Sequence, residues 1–235
     1  MSGASRIAVI VPVLNEETAL GGLLEKLRPH VRDCEIVFVD GGSTDGTRAM
    51  IGDSFRVIDA PRGRGAQLAA GVRATTADVL FFLHADSLPP DDFPAEIREA
   101  LVGGETGCFG IAFDTSSALM RICAALSNFR AFHRRIMFGD QGMFMTRELY
   151  ERVGGFPELP LMEDFALSLS LRKAGVRPRR TRARVVTSAR RFGTSTASRL
   201  GTMYHMARLR RMFLHGAPID SIARAYADVR EKRAR

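Results

Sequence analysis

The most constraining feature of this chain is the run Ile7 to Val13, apolar throughout and mostly β-branched, followed at helical spacing by Leu20, Leu23, Leu24, Leu27 and Val31. A strand with no polar alternation is buried on both faces, and such strands belong to parallel sheets covered by helices on either side. The pattern then repeats. Glu35 to Val39 reads as a second strand, ending in the turn Asp40-Gly41-Gly42-Ser43-Thr44-Asp45-Gly46, and Arg56 to Asp59 as a short third. Arg64 to Thr75 reads as a helix and Val79 to Leu83 as a fourth strand of buried character. Alternation of β and α predicts an α/β fold, a mostly parallel sheet with helices on both faces.

Beyond Leu88-Pro89-Pro90 the pattern predicts a helix to about Val102, a strand from Gly107 to Phe113 and a long amphipathic helix from Ser116 to Arg135. A strand near Met143, a short helix from Thr146 to Val153 and a turn at Gly154-Gly155-Phe156-Pro157 follow. The helix from Glu163 to Ala174 opens with two acids, as helix starts favour. A strand at Val185 to Ser188 and helices at about Ser195 to His215 and Ile219 to Lys232 complete the chain. We expect one principal domain over residues 1–190, with a basic helical extension, 191–235, packed on it.

The net charge of +8 is unevenly distributed. Residues 172–235 carry 18 Arg or Lys against 3 acids, a balance of +15, and residues 1–171 carry 16 against 23. Such a tail suits an anionic partner: a phospholipid surface, a nucleic acid or a phosphorylated substrate. The plainer reading is compositional, because 31 of the 34 cations are arginine. Aromatic residues are not interleaved with arginine in any nucleic-acid-binding motif, so no specific nucleic acid is expected. The helix from Arg199 to His215 sets Met203, Tyr204, Ala207 and Leu214 among Arg199, Arg208, Arg210 and Arg211. Its apolar face either closes the core, the more ordinary arrangement, or rests on anionic lipid. No signal peptide is read in Met1 to Arg6, and Arg121, Arg130, Arg134 and Arg135 interrupt the best membrane-spanning candidate. Three widely spaced cysteines fit neither a zinc site nor a disulfide framework, so a cytoplasmic setting is expected, with peripheral contact at the inner membrane surface as its variant.

In parallel sheets, ligands bind beyond the carboxyl ends of the strands. Four such positions here are polar: Pro12-Val13-Leu14-Asn15-Glu16-Glu17, Asp40-Gly41-Gly42-Ser43, Arg62-Gly63-Arg64-Gly65-Ala66-Gln67 and His84-Ala85-Asp86. The turn after the first strand has no glycine, which disfavours a dinucleotide site, and no lysine stands where a P-loop needs one.

These residues lie within seven motifs that, in this order, resemble glycosyltransferase family 2: VPVLNEE, VDGGSTDGT, RGRGAQLAAG, FLHADSLPP, GDQGMFM, VGGF and MEDFALSLSLRKAG. Among its members the chain is similar to small bacterial ones associated with arsenosugar biosynthesis or selenodomains. The resemblance implies the GT-A fold and transfer of a single sugar from a nucleoside diphosphate donor, preferably a UDP-sugar, to a hydroxyl acceptor, with inversion and assisted by Mg²⁺ or Mn²⁺. Processive members carry Gln-x-x-Arg-Trp, and this chain has no tryptophan.

Such a transfer needs a cation against the departing diphosphate and a base for the acceptor hydroxyl. By the resemblance Asp86 is the metal ligand, with His84 where many relatives have Asp, on the nucleotide side. Asp164 is the base, with Glu163 beside it as the other catalytic acid. Pro12, Asn15, Glu17, Asp40 and Arg64 would hold the nucleotide, and Gln141 and Gly142 would border donor sugar and acceptor. Each has a structural alternative: a satisfied strand-end histidine for His84, turn capping for Asp86, helix capping for Asn15, helix-dipole partners for the acidic pair and a plain β-turn for Gln141 and Gly142. A catalytically silent nucleotide-sugar binder is the competing function, and a basic nucleic-acid-binding protein a more distant one.

Overall fold

A computed structural model of the chain describes residues 5–234, with side chains to residue 226. The opening residues 1–4, part of the segment read for a leader, and residue 235 lie outside the described residues. The seven-residue apolar run forms β1 (Ile7–Val13). It pairs in parallel with β2 (Cys34–Asp40) on one side and β4 (Val79–Phe82) on the other, and β3 (Arg56–Asp59) extends the sheet beyond β2. Between these strands run α1 (Glu17–Leu27), the short α2 (Thr47–Ile51) and α3 (Arg64–Arg73).

Alternate residues of β1 feed opposite cores. Ile7, Val9, Val11 and Val13 pack with Leu20, Leu23, Leu24 and Leu27 of α1, while Ala8 and Ile10 pack with Leu68 and Val72 of α3. Each of the Val, Leu and Ile side chains, fully withdrawn from water, contributes about 1.5–3 kcal/mol. Gly71 of α3 lies so close to β1 that a Cβ there would strike the Ile10 side chain, so the helix sits tight against the sheet.

The second half departs from the parallel pattern. After the two-residue strand β5 (Ser87–Leu88) and α4 (Phe93–Leu101), the stretch expected as one strand from Gly107 to Phe113 divides into β6 (Thr106–Cys108) and β7 (Ile111–Phe113). Gly110 adopts φ +69°, a conformation open to glycine, and turns the chain out of the main sheet. Asn128 secures the new direction, accepting from Ile111 N at 2.8 Å and donating to Ile111 O at 3.1 Å.

Then come α5 (Ala118–His133), β8 (Met143–Thr146), α6 (Arg147–Arg152), α7 (Glu163–Lys173), β9 (Arg179–Arg180) and β10 (Val185–Thr187). The main sheet has the order β3-β2-β1-β4-β8-β6-β9, with β8 antiparallel to β4 and β6, and β5-β10-β7 form a small second sheet.

The chain closes with α8 (Thr196–Leu214) and α9 (Ile219–Ala234). A third apolar cluster joins Leu209 of α8 and Ile222 of α9 to Ile136, Leu161, Met162 and Phe165 of the main body. The residues expected to close the core, Met203, Tyr204, Ala207 and Leu214, are not the ones that do. Tyr204 and Leu214 are 73% and 60% exposed, and Leu209, with Met206, Met212 and Phe213, takes their place. The helix is apolar on two sides, and spacing alone did not identify which one meets the protein. Among the described residues no helix is long and apolar enough to cross a membrane.

Candidate active site

The carboxyl ends of β1, β2 and β4 open onto one cleft. Asn15 has φ +54°; its backbone N–H donates to Ser43 Oγ at 3.0 Å, and its Oδ1 accepts from Thr44 N at 2.8 Å. Glu17 accepts from Gly46 N at 3.1 Å. Both residues thus fasten the loop after β2 to the start of α1. Asn15 does not cap the helix, whose capping residue, Glu16, makes no side-chain cap. Pro12 stands opposite Val39 in the β1–β2 ladder. Gln67, within the stretch read from sequence as a helix, donates to Val13 O at 2.9 Å and Val39 O at 2.8 Å and ties the two strand ends together.

Asp40 is buried at the end of β2. One carboxylate oxygen accepts from Ser43 N and Oγ at 3.0 and 2.6 Å, and the other from Arg48 at 2.8 Å. Burial by itself would raise its pKa, but the hydrogen bonds from Ser43 and Arg48 outweigh it and hold the carboxyl below its ordinary range. A fixed negative charge therefore marks this end of the cleft.

Arg64 and Glu163 form an ion pair that joins the start of α3 to the first turn of α7. Glu163 is fully buried; burial raises its pKa, with Arg64 pulling the other way and Asp164 adding to the rise. Its second oxygen has no partner. Glu163 therefore holds Arg64 rather than facing the cleft. Neighbours on a helix point about 100° apart, and Asp164 accordingly turns elsewhere. Its Oδ2 accepts from Gly139 N at 2.9 Å.

His84 lies beyond β4 with its imidazole against Gly139. Burial first, then the nearby Arg64 and Arg191, push its pKa well below the ordinary value, so the ring is neutral. Two residues on, the Asp86 side chain accepts no hydrogen bond among the described residues, and Arg190 lies 3.9 Å from its Oδ2. It caps no turn. A carboxylate that accepts no hydrogen bond and has one arginine at the edge of ion-pair distance suits a hard divalent cation that takes its remaining ligands from phosphate oxygens and water. No cluster of three or more His, Cys, Asp or Glu suited to a metal occurs among the described residues.

The turn 139–142 corrects one expectation. Gln141 is fully buried, accepting from Phe138 N at 3.0 Å and Arg130 at 3.3 Å and donating to Ser127 O and Asn128 Oδ1. Gly142, at φ +59°, sits among Val185, Phe81 and Phe109. Both build the turn, because a glutamine with every polar atom satisfied inside the protein has none left for a ligand. The residue between Gly139 and Gln141 keeps an unsatisfied polar atom instead. Asp140 Oδ1 is buried with no partner, and burial raises its pKa against the opposing charges of Arg130 and Arg191, with Asp164 and Asp86 adding to the rise. Gly139, the residue before Asp140, meets both the Asp164 carboxylate and the His84 imidazole, so the loop that bears Asp86 and the start of α7 come together at this turn.

The sequence marked Asp140 only as part of the GDQGMFM motif and did not single out Arg190 and Arg191. The signal was available: Arg190 and Arg191 follow β10 as the other site residues follow their strands, but in an arginine-rich tail they read as composition.

Known proteins share this framework. The chain is 30% identical over 193 residues, 72% of its length, to the succinoglycan biosynthesis protein ExoA of Rhizobium meliloti, of which it covers 58%. It spans between about a third and three fifths of the length of the first relatives it matches. Among solved structures, the mannosyltransferase PcManGT of Pyrobaculum calidifontis, in complex with GDP-Man and Mn²⁺, superposes with a TM-score of 0.60 at 22% identity, covering 89% of this chain and 61% of that one. The glucosyl-3-phosphoglycerate synthase of Mycobacterium tuberculosis, in complex with Mn²⁺ and UDP-glucose, gives 0.60 at 19% identity, covering 91% and 80%. These two likenesses bear on the fold, which is that of the GT-A glycosyltransferases. The model of glycosyl transferase family 2 matches residues 8–149, a span that takes in the loops at Asn15, Asp40, Arg64 and Asp86 and the turn at Asp140, and the chain belongs to that family.

Proposed function

We propose that this protein transfers a single sugar from a nucleoside diphosphate donor, preferably a UDP-sugar, to a hydroxyl acceptor with inversion at the anomeric carbon. The observation that carries this reading is the meeting of two segments at Gly139, whose N–H donates to Asp164 Oδ2 at 2.9 Å and against which His84, two residues before Asp86, sets its imidazole. Asp86, whose side chain accepts no hydrogen bond among the described residues, is the carboxylate suited to a cation, and Asp164, held by Gly139 N–H, the one suited to take a proton; transfer needs both.

In this mechanism Asp164 takes the proton of the acceptor hydroxyl as its oxygen attacks the anomeric carbon. The bond from that carbon to the β-phosphate oxygen breaks, and the diphosphate leaves with the electron pair. Gly139 N–H fixes the orientation of Asp164, and Arg190 and Arg191 lie where they can offset the charge of the departing diphosphate. Asp86 would hold Mg²⁺ or Mn²⁺, which supplies Lewis-acid stabilisation of the leaving group when bound. Asp40 and the loop it anchors would receive the nucleoside, with His84 as a neutral hydrogen-bonding neighbour. The related solved structures carrying GDP-Man or UDP-glucose with Mn²⁺ support a nucleotide-sugar donor and leave the base open. Three free thiols accord with a cytoplasmic site of action, and the basic tail with peripheral contact at an anionic membrane surface.

The test is isothermal titration of UDP, GDP and dTDP into the protein with Mn²⁺ and then with EDTA, repeated on Asp86→Ala. Metal-dependent binding of one nucleotide, lost in the variant, supports the proposal and names the donor class. Absence of binding to all three refutes it. Nucleotide binding without transfer or donor hydrolysis would favour the silent binder.

A further inference from the structure

Helices α5 and α8 each send an arginine to the segment that precedes the turn bearing Asp140. Phe138, just before the turn that bears Asp140, lies between them, its ring centre 4.0 Å from the Arg130 guanidinium of α5 and 5.5 Å from that of Arg210 of α8. Each helix also has an outer face. On α5, Ile122, Leu126 and Phe129 are 57%, 65% and 50% exposed. Spacings of four and three residues align them in one stripe, opposite the buried Met120, Ala124 and Ala131. On α8, Leu200, Tyr204, Ala207 and Arg211 form a similar stripe, opposite the buried Thr202 and Leu209. Six of the ten large apolar side chains exposed among the described residues lie on these two helices. Scattered exposed apolar residues are ordinary, but their concentration on two helices linked through Phe138 calls for a partner.

The charge of this face narrows the partner. No acid occurs in residues 115–139 or 165–219, whereas Arg121, Arg134, Arg208 and Arg211 are all exposed on or beside the two helices. A second copy of the chain would bring one arginine-rich face against another. A nucleic acid would satisfy the arginines but leaves the aliphatic stripe without a use. Only a surface that is anionic outside and apolar beneath matches both features.

We infer that the outer face of α5 and α8 docks on an anionic lipid bilayer, with Ile122, Leu126 and Phe129 entering the headgroup region and the arginines against lipid phosphates. This contact needs no assumption about catalysis. Its consequence, that the cleft meets its acceptor at the membrane surface, rests on the transferase reading.

The test is flotation of the full chain with phosphatidylglycerol/phosphatidylcholine vesicles and with phosphatidylcholine alone. The wild type should float with the anionic vesicles and not the neutral ones. An Ile122→Asn/Leu126→Gln/Phe129→Ser variant should partition at least about tenfold less. Titration of Mn²⁺ and the nucleotide that the wild type binds, together with circular dichroism, keeps a folded variant distinguishable from an unfolded one; if no nucleotide binds the wild type while flotation persists, the transferase reading fails and the membrane contact stands. Three results would overturn the inference: no flotation of the wild type, undiminished flotation of the variant, or a wild-type dimer in light scattering that the same substitutions split.

Discussion

The backbone N–H of Gly139 donates to Asp164 Oδ2 at 2.9 Å, so the residue placed to accept the acceptor's proton is oriented by a turn 25 residues earlier in the chain. A side chain cannot swing that hydrogen bond away, because the donor belongs to the turn that Gln141 locks from within the core.

Asp164→Asn keeps the shape and the contact but cannot take a proton. Turnover should fall by roughly 10²–10⁴-fold, with nucleotide affinity unchanged. Steady-state transfer assays alongside titration calorimetry check both halves, and an active variant would remove Asp164 from the mechanism.

The Arg64–Glu163 pair carries a stability prediction. Glu163→Ala leaves a largely enclosed guanidinium without its counter-charge and should cost about 3 kcal/mol in urea denaturation. Replacing both partners, Arg64→Met with Glu163→Leu, should recover most of that loss, since neither charge is then stranded. Equal losses in the single and double variants would mean that packing, not charge, sets the cost.

Asp40 predicts an acid-side effect. Its carboxyl is held below the unfolded value of 3.8. A depressed carboxylate contributes stability that is fully present above its unfolded pKa and is lost as pH falls through its folded pKa. Asp40→Asn should therefore destabilise the protein at pH 7 and much less near pH 3, as measured by denaturant midpoints at the two values. An equal penalty at both would indicate that the Asp40 hydrogen bonds matter for their shape alone.

The sequence by itself determined the parallel core and the strand-end positions of the site. Unbroken apolar runs at Ile7 to Val13 and Val79 to Leu83 have no solvent-facing side, so their polar terminal residues had to lie at a sheet edge. Helix geometry, which is local, also turns the adjacent Glu163 and Asp164 about 100° apart whatever surrounds them. What the tertiary structure decided depends on contacts between distant residues. Glu163 turns inward because Arg64, 99 positions away, meets it. Gln141 is spent on Ser127, Asn128, Arg130 and Phe138. Arg190 reaches Glu16, 174 positions away, and lies beside Asp86. A motif fixes residue type and spacing, but which polar atom is left free for a ligand depends on which partners the fold brings to the others.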